Sequence, residues 1–147
     1  MRGFTLIEVV CVLAIIALVA AVLLPNFPRG TSRSRLEAYA LQIGSLLEAD
    51  RSAAIRRRVA IATDIDALSR TIRSGASAST IRVPSDVQVD AVLASRCNQR
   101  EAGQSIVFFA SGMSCGGAIA LMRLGAGYQI RVNWLTGGVE IVPLNAS

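Results

Sequence analysis

The sequence predicts an α+β fold in which a long N-terminal transmembrane helix packs against a C-terminal, antiparallel, β-rich globular head. Three observations lead to it. Phe4–Leu24 is an apolar run broken by a single charge, Glu8. An apolar periodicity close to 3.6 residues follows, through Leu36, Ala40, Ile43, Leu47 and Ala54. From Val59 onward the chain divides into short apolar runs separated by Gly, Pro, Ser and Asp, the pattern of strands and turns. A chain of 147 residues has room for one such head and its anchor.

Taken in order, the first element is a membrane span. As a helix, Phe4–Leu24 extends about 31 Å at 1.5 Å per residue, the thickness of a bilayer core. A cleaved secretory signal has a shorter apolar stretch of about 7–15 residues followed by an A-x-A-like site. This run is longer, and residues 4–30 contain no A-x-A. Glu8 is then out of place, because an isolated carboxylate at mid-bilayer costs on the order of 2.5–3.5 kcal/mol. The nearest basic residues are Arg2 before the span and Arg29 after it. Glu8 therefore calls for a partner from outside its own segment, unless it is a stray charge at the interface end of an ordinary anchor.

The octet Gly3-Phe4-Thr5-Leu6-Ile7-Glu8-Val9-Val10 resembles the cleavage and methylation signal of type IV prepilins and type II secretion pseudopilins. The resemblance implies that a prepilin peptidase on the cytoplasmic face cuts between Gly3 and Phe4 and N-methylates Phe4. Glu8 then becomes the fifth residue of the mature chain, and Pro25 stands where many family members also carry a proline. Residues 1–3 are on this reading a leader, 4–24 the transmembrane and assembly helix, 25–58 its periplasmic continuation, and 59–147 the head. The physical chemistry agrees with it. A new α-amine has a pKa of about 7.7–8.0 and is a cation that Glu8 of a neighbouring subunit can meet. That attraction is strong at low dielectric and an unpaired Glu8 is penalised, so the pair sets axial register in a filament. Glycine before the cut leaves no side chain to obstruct a peptidase.

Arg29, Arg33 and Arg35 follow the span while Arg2 alone precedes it, so charge bias by itself puts the C-terminal side in the cytoplasm. The resemblance implies the reverse: a single-pass protein of the bacterial inner membrane, N-terminus cytoplasmic, head in the periplasm.

The periodic segment runs to about Arg58 and forms one long helix with the span, loosened at Pro25, whose ring removes a donor and clashes with the preceding turn. Arg56-Arg57-Arg58 closes it, with cations at the carbonyl end. Beyond it the predicted strands are Val59–Thr63, Ile81–Val83, Val87–Val92, Ser105–Phe109, Ala118–Arg123, Tyr128–Asn133 and Val139–Val142. Asp66–Arg73 reads as a short helix and Ser74–Ser79 as a flexible loop.

A second resemblance lies near the C-terminus. Ile106-Val107-Phe108-Phe109, Gly112, Ser114, Gly116-Gly117-Ala118-Ile119, Tyr128-Gln129-Ile130-Arg131-Val132 and Thr136-Gly137-Gly138-Val139 resemble the head of H-type minor pseudopilins of type II secretion and related FimT-like pilins. It implies a subunit near the tip of a periplasmic pseudopilus that helps move folded proteins across the outer membrane. The partners it implies are other pseudopilins, the prepilin peptidase, the inner-membrane assembly platform and secreted cargo. The alternative is a FimT-like minor type IV pilin acting in pilus assembly or DNA uptake. Arg123 and Arg131 are isolated in the sequence and aromatic residues are few, so nucleic acid is not the expected partner.

Composition narrows the chemistry further. There is no His, and all 15 basic residues are Arg, which excludes His-based triads, imidazole metal sites and Schiff-base lysines. Gly112-Met113-Ser114-Cys115-Gly116 fits the G-x-S-x-G nucleophile elbow, but that motif needs a helix after it and a His to take the proton. We read it as a glycine-rich turn and expect no enzyme activity and no cofactor. Asp64 and Asp66 are too few for the six to eight oxygens of calcium, so no metal is expected either. Cys11 falls in the apolar run. Cys97 and Cys115 remain as the candidate disulfide of an exported head, with two buried thiols as the alternative.

Overall fold

A computed structural model of the chain describes residues 3–23 and 30–145. It contains two helices, α1 (Leu6–Leu23) and α2 (Arg33–Arg57). The strands in chain order are β1 (Ile61–Asp66), β2 (Thr71–Arg73), β3 (Thr80–Arg82), β4 (Gln88–Leu93), β5 (Arg96–Cys97), β6 (Arg100–Glu101), β7 (Ser105–Phe108), β8 (Gly117–Arg123), β9 (Ala126–Val132) and β10 (Val139–Asn145).

α1 begins where the Thr5 carbonyl accepts the amides of Glu8 and Val9, and none of its residues is buried within the chain. The Pro25 kink lies outside the described residues. α2 starts afresh rather than continuing α1. Ser32 is extended (φ −71°, ψ 162°), and its hydroxyl accepts the Arg35 amide at 3.3 Å. A serine N-cap contributes about 1 kcal/mol and satisfies a donor that an uninterrupted helix would bond internally. The single long helix read from the sequence is therefore broken at Gly30-Thr31-Ser32, because Ser32 offers the backbone a cap at that point. Arg58 ends α2 in the left-handed conformation (φ 54°), donating its amide to Ala54.

Two four-stranded antiparallel sheets make the head, with strand orders β3-β2-β1-β7 and β10-β9-β8-β4, beside the small hairpin β5-β6. β1 alternates buried and exposed residues through Ile61, Thr63 and Ile65, as a half-buried strand requires. It pairs Ile61 with Phe108 and Thr63 with Ile106. In the second sheet Ile119 lies opposite Ile130. α2 packs its Leu36, Ala40, Ile43 and Leu47 face on β1, β7, β9 and β10. Phe108, Ile106, Ile119, Leu121 and Ile130 are fully buried against it. Each such side chain contributes about 1.5–3 kcal/mol by leaving water. At Gly44 the helix comes so close to β10 that a Cβ would meet Ile141 at 3.1 Å.

The segment expected as a short helix, Asp66–Arg73, is the β1–β2 hairpin. The Asp66 carboxylate accepts the amides of Leu68 and Ser69, both at 3.0 Å, and Arg70 takes φ 54°. Thr71 then pairs back onto Asp66. An aspartate that bonds the backbone two and three residues on favours a turn over a helix. Ser74–Ser79 is tied at its base, where the Ser74 amide donates to Ser79 O at 2.9 Å. The remaining predicted strands sit within a few residues of their observed positions, and β5 and β6 had no counterpart among them. Ser114 of the G-x-S-x-G sequence is buried in an isolated β-bridge to Phe108, its hydroxyl accepting the Gly116 amide at 3.0 Å, and strand β8 follows where an elbow needs a helix.

Candidate functional site

The candidate site is the surface of α1. Phe4, just before α1, and Glu8, in its first turn, line a shallow recess of about 300 Å³ with Val9, Val12 and Leu13. Leu6–Leu23 is long and apolar enough to cross a membrane. Glu8 has no ion-pair partner among the described residues, and it is exposed among apolar neighbours. Nothing stands within 4 Å of where a Cβ on Gly3 would point. The helix thus has an accessible backbone before Phe4, one acid and an unpartnered apolar surface. This arrangement can engage lipid and a second helix, and it leaves Glu8 available to an external cation.

Two polar clusters that the sequence reading missed hold the rest of the chain in place. The first is at the start of α2, where the Asp86 carboxylate accepts the Thr31 amide at 2.6 Å, the Thr31 hydroxyl at 2.8 Å and Arg123 Nε at 2.8 Å. The Arg123 guanidinium lies so close to Gly30 that any side chain there would collide with it. The Thr31 amide and hydroxyl hold the Asp86 carboxyl below the usual carboxylate range against an opposing desolvation, with the Arg123 charge adding a lesser pull in the same direction as Thr31. Arg123, considered above as part of a nucleic-acid surface, is occupied in this clasp. The clasp fixes the chain to the head directly after the membrane segment.

The second is Asp50, fully buried in α2. It accepts the hydroxyls of Thr63 and Ser74 and the amides of Gly75 and Ala76, and so pins β1 and the Ser74–Ser79 segment to the helix. Beside Asp50 on α2, Arg51 donates to Gly112 O at 3.1 Å and Thr136 O at 3.0 Å, and Glu48 accepts the Val139 amide at 3.2 Å. A faint signal for Asp50 existed, since it falls on the apolar stripe of α2 three residues after Leu47. Asp86 had none, because its partners are 55 and 37 positions away.

The structure joins Cys97 to Cys115 with Cα atoms 5.6 Å apart, a separation a disulfide spans. The bond ties the β5–β6 hairpin to the turn before β8. Cys11 is exposed on α1.

Residues 1–24 match the family model of the prokaryotic N-terminal methylation motif. The head superposes on solved minor pseudopilin structures, among them EpsH from the type 2 secretion system of Vibrio cholerae. There the TM-score is 0.59 at 12% identity, covering 76% of this chain and 96% of that one. The chain begins with a prepilin-type methylation motif, and its fold is that of the minor pseudopilins. It is 29% identical over 144 residues to the type II secretion system protein H of Xanthomonas campestris pv. campestris, across 98% of this chain and 85% of that one. The type IV minor pilin FimU of Pseudomonas aeruginosa has the same fold, with a TM-score of 0.53 at 21% identity over 77% of this chain and 92% of that one. The order of an apolar helix bearing the methylation motif and then an antiparallel β-rich head agrees with the sequence expectation, whereas the separate second helix does not.

Proposed function

We propose that this prepilin-type chain is an H-type minor pseudopilin of a type II secretion system. It is incorporated near the tip of a periplasmic pseudopilus that helps export folded proteins across the outer membrane. The observation that carries the reading is Glu8, a lone acid without an ion-pair partner among the described residues, in the first turn of an exposed apolar helix and sharing a recess with Phe4. Likeness to a type II secretion protein along nearly the whole chain supports secretion over the alternative, a FimT-like minor type IV pilin in pilus assembly or DNA uptake. The likeness to FimU concerns the fold alone.

The steps follow from the chain's own groups. A prepilin peptidase removes residues 1–3 and N-methylates Phe4, creating a cation at the end of the apolar helix. The α1 surface, rich in Ala, Val and Leu, packs on copies of pseudopilin helices in the inner membrane. Glu8 pairs with the Phe4 amine of a neighbour and sets the axial step, and the head-to-tail contact does not close, so a filament grows. The inner-membrane assembly platform drives that growth and the head lies in the periplasm. The role is structural, with no reaction catalysed by the chain.

Mass spectrometry and assembly assays on Glu8→Ala test this. The wild-type chain in the assembled fraction has lost residues 1–3 and carries a methylated Phe4. The variant inserts in the membrane at wild-type levels and is missing from filaments. An intact Met1 in the working assembly, or normal incorporation of Glu8→Ala, would refute it.

A further inference from the structure

At the end of the head where α2 finishes, opposite the Thr31 clasp, there is a pocket of about 490 Å³. The bonded Cys97 and Cys115, the aromatics Trp134 and Phe109, and Arg96 and Asn98 line it together with Ser114. Trp134 is the only tryptophan of the chain and is 63% exposed, with Leu135 at 55% and Met113 at 38%. An indole left in water at the mouth of a cavity is an unusual use of the side chain with the largest apolar area.

The scaffold fixes the backbone that carries this indole. Ser114 donates its amide to Trp134 O at 3.0 Å, and Asn133 Oδ1 accepts the amides of Leu135 and Thr136 at 2.8 and 3.0 Å. Gly116, at φ 73°, passes so closely beneath that a Cβ there would sit 3.2 Å from Trp134 Cβ. Arg51 fastens the same turn to α2 through Thr136 O. A wall fixed in advance loses little conformational freedom when something packs against it. The volume is in the range of ligand and side-chain pockets. Exposed Arg96 of the lining has no ion-pair partner among the described residues, although Glu101 faces it across the β5–β6 register.

We infer that this pocket is a docking site for a segment of a partner protein that presents an apolar or aromatic side chain next to a carboxylate. The apolar group fills the space between Trp134 and Phe109 and the carboxylate meets Arg96. Buried aromatic anchors ringed by an Arg contact are the usual hot spots of protein interfaces. Sequence-tolerant nucleic-acid binding needs successive stacking platforms along a basic groove. Here the two aromatics share one pocket, and Arg51 and Arg123 are engaged within the chain. The chain's net charge of +5 also favours an acidic partner over a second copy of itself. The inference does not depend on filament assembly.

Trp134 is its own reporter. The full-length chain in detergent is titrated with a short capped peptide containing Asp, Leu and Phe, following the tryptophan emission. The same peptide with Arg for Asp and a mixed-sequence single-stranded oligonucleotide serve as comparisons. The acidic peptide gives a saturable spectral shift, weakened about tenfold or more in Arg96→Glu and abolished when Cys97 and Cys115 are both replaced by Ser. The Arg peptide binds wild type weakly and Arg96→Glu better. No saturable shift with the acidic peptide, equal response to both peptides, or indifference to Arg96→Glu would overturn the inference. So would tighter binding of the oligonucleotide with steep salt dependence, which would assign the pocket to nucleic acid.

Discussion

Replacing Asp50 with Ala tests whether the head is held to α2 by a buried carboxylate or by apolar packing alone. Asp50 and Thr63 are both 0% exposed and Ser74 is 8% exposed, so water cannot replace a lost acceptor. The substitution strands the buried Thr63 and Ser74 hydroxyls, while the amide of exposed Gly75 can turn to water and Ala76 keeps a second bond to the Ser74 hydroxyl at 3.1 Å. An unsatisfied buried donor costs about 1–3 kcal/mol. The hydroxyls rotate and recover part of that, leaving roughly 3–5 kcal/mol in total. Such a loss is a large share of the ~5–15 kcal/mol that stabilises a domain. For a head of this size it lowers the melting temperature by at least about 10 °C. Asp50→Asn keeps the shape and one acceptor and should lose about half as much. Thermal and urea unfolding of the full chain in detergent, followed by far-UV circular dichroism, measure both. An Asp50→Ala variant within about 1 kcal/mol of wild type would refute the argument, because it would mean the stranded donors find other partners. An Asp50→Asn variant as damaged as Asp50→Ala would show that the charge, not the acceptor geometry, matters.

Two further expectations concern the ends of the head. The Asp86 carboxyl has its pKa depressed in the folded chain by Thr31 and Arg123, so its contribution to stability is present above the unfolded carboxylate pKa of about 3.9 and lost as pH falls through the lower folded value. Trypsin should cut wild-type chain at Arg33 or Arg35 slowly at neutral pH, and several-fold faster in Asp86→Asn; equal rates would mean that the clasp does not hold the start of α2. For the other end, replacing Cys97 and Cys115 by Ser removes a bond closing an 18-residue separation, a loop length worth about 3 kcal/mol of chain entropy. Non-reducing peptide mapping should find the two linked, and free thiols at both positions in the exported protein would contradict the pairing.

Element by element, what was legible had a local cause. The apolar run that became α1, the periodic face of α2 and the alternation in β1, β8 and β9 are each written in the residues of the element itself. The hairpin at Asp66–Arg73 was misread because a short stretch with mixed polarity fits a helix turn as well as a turn between strands. The carboxylate of Asp66 decides between them by bonding Leu68 and Ser69. The break at Ser32 was legible in principle as a serine before a periodic run, but continuity of the apolar pattern across Pro25 suggested one helix.

By itself the sequence determined the chemistry of the N-terminus: a bilayer-length apolar segment, one acid, a glycine before Phe4. These features act through adjacent residues, so spacing along the chain suffices to recognise them. It also determined the α+β class, since periodicities of 3.6 and 2 are local properties of the chain. Only the tertiary structure decided which polar residues hold the head together and what surface its far end presents. Asp86 finds Thr31 and Arg123, Asp50 finds Thr63 and Ser74, and Trp134 comes to share a pocket with Cys97, Cys115 and Arg96. Those contacts join residues distant in the chain, and they exist only once strand register and helix packing have brought the groups within hydrogen-bonding distance.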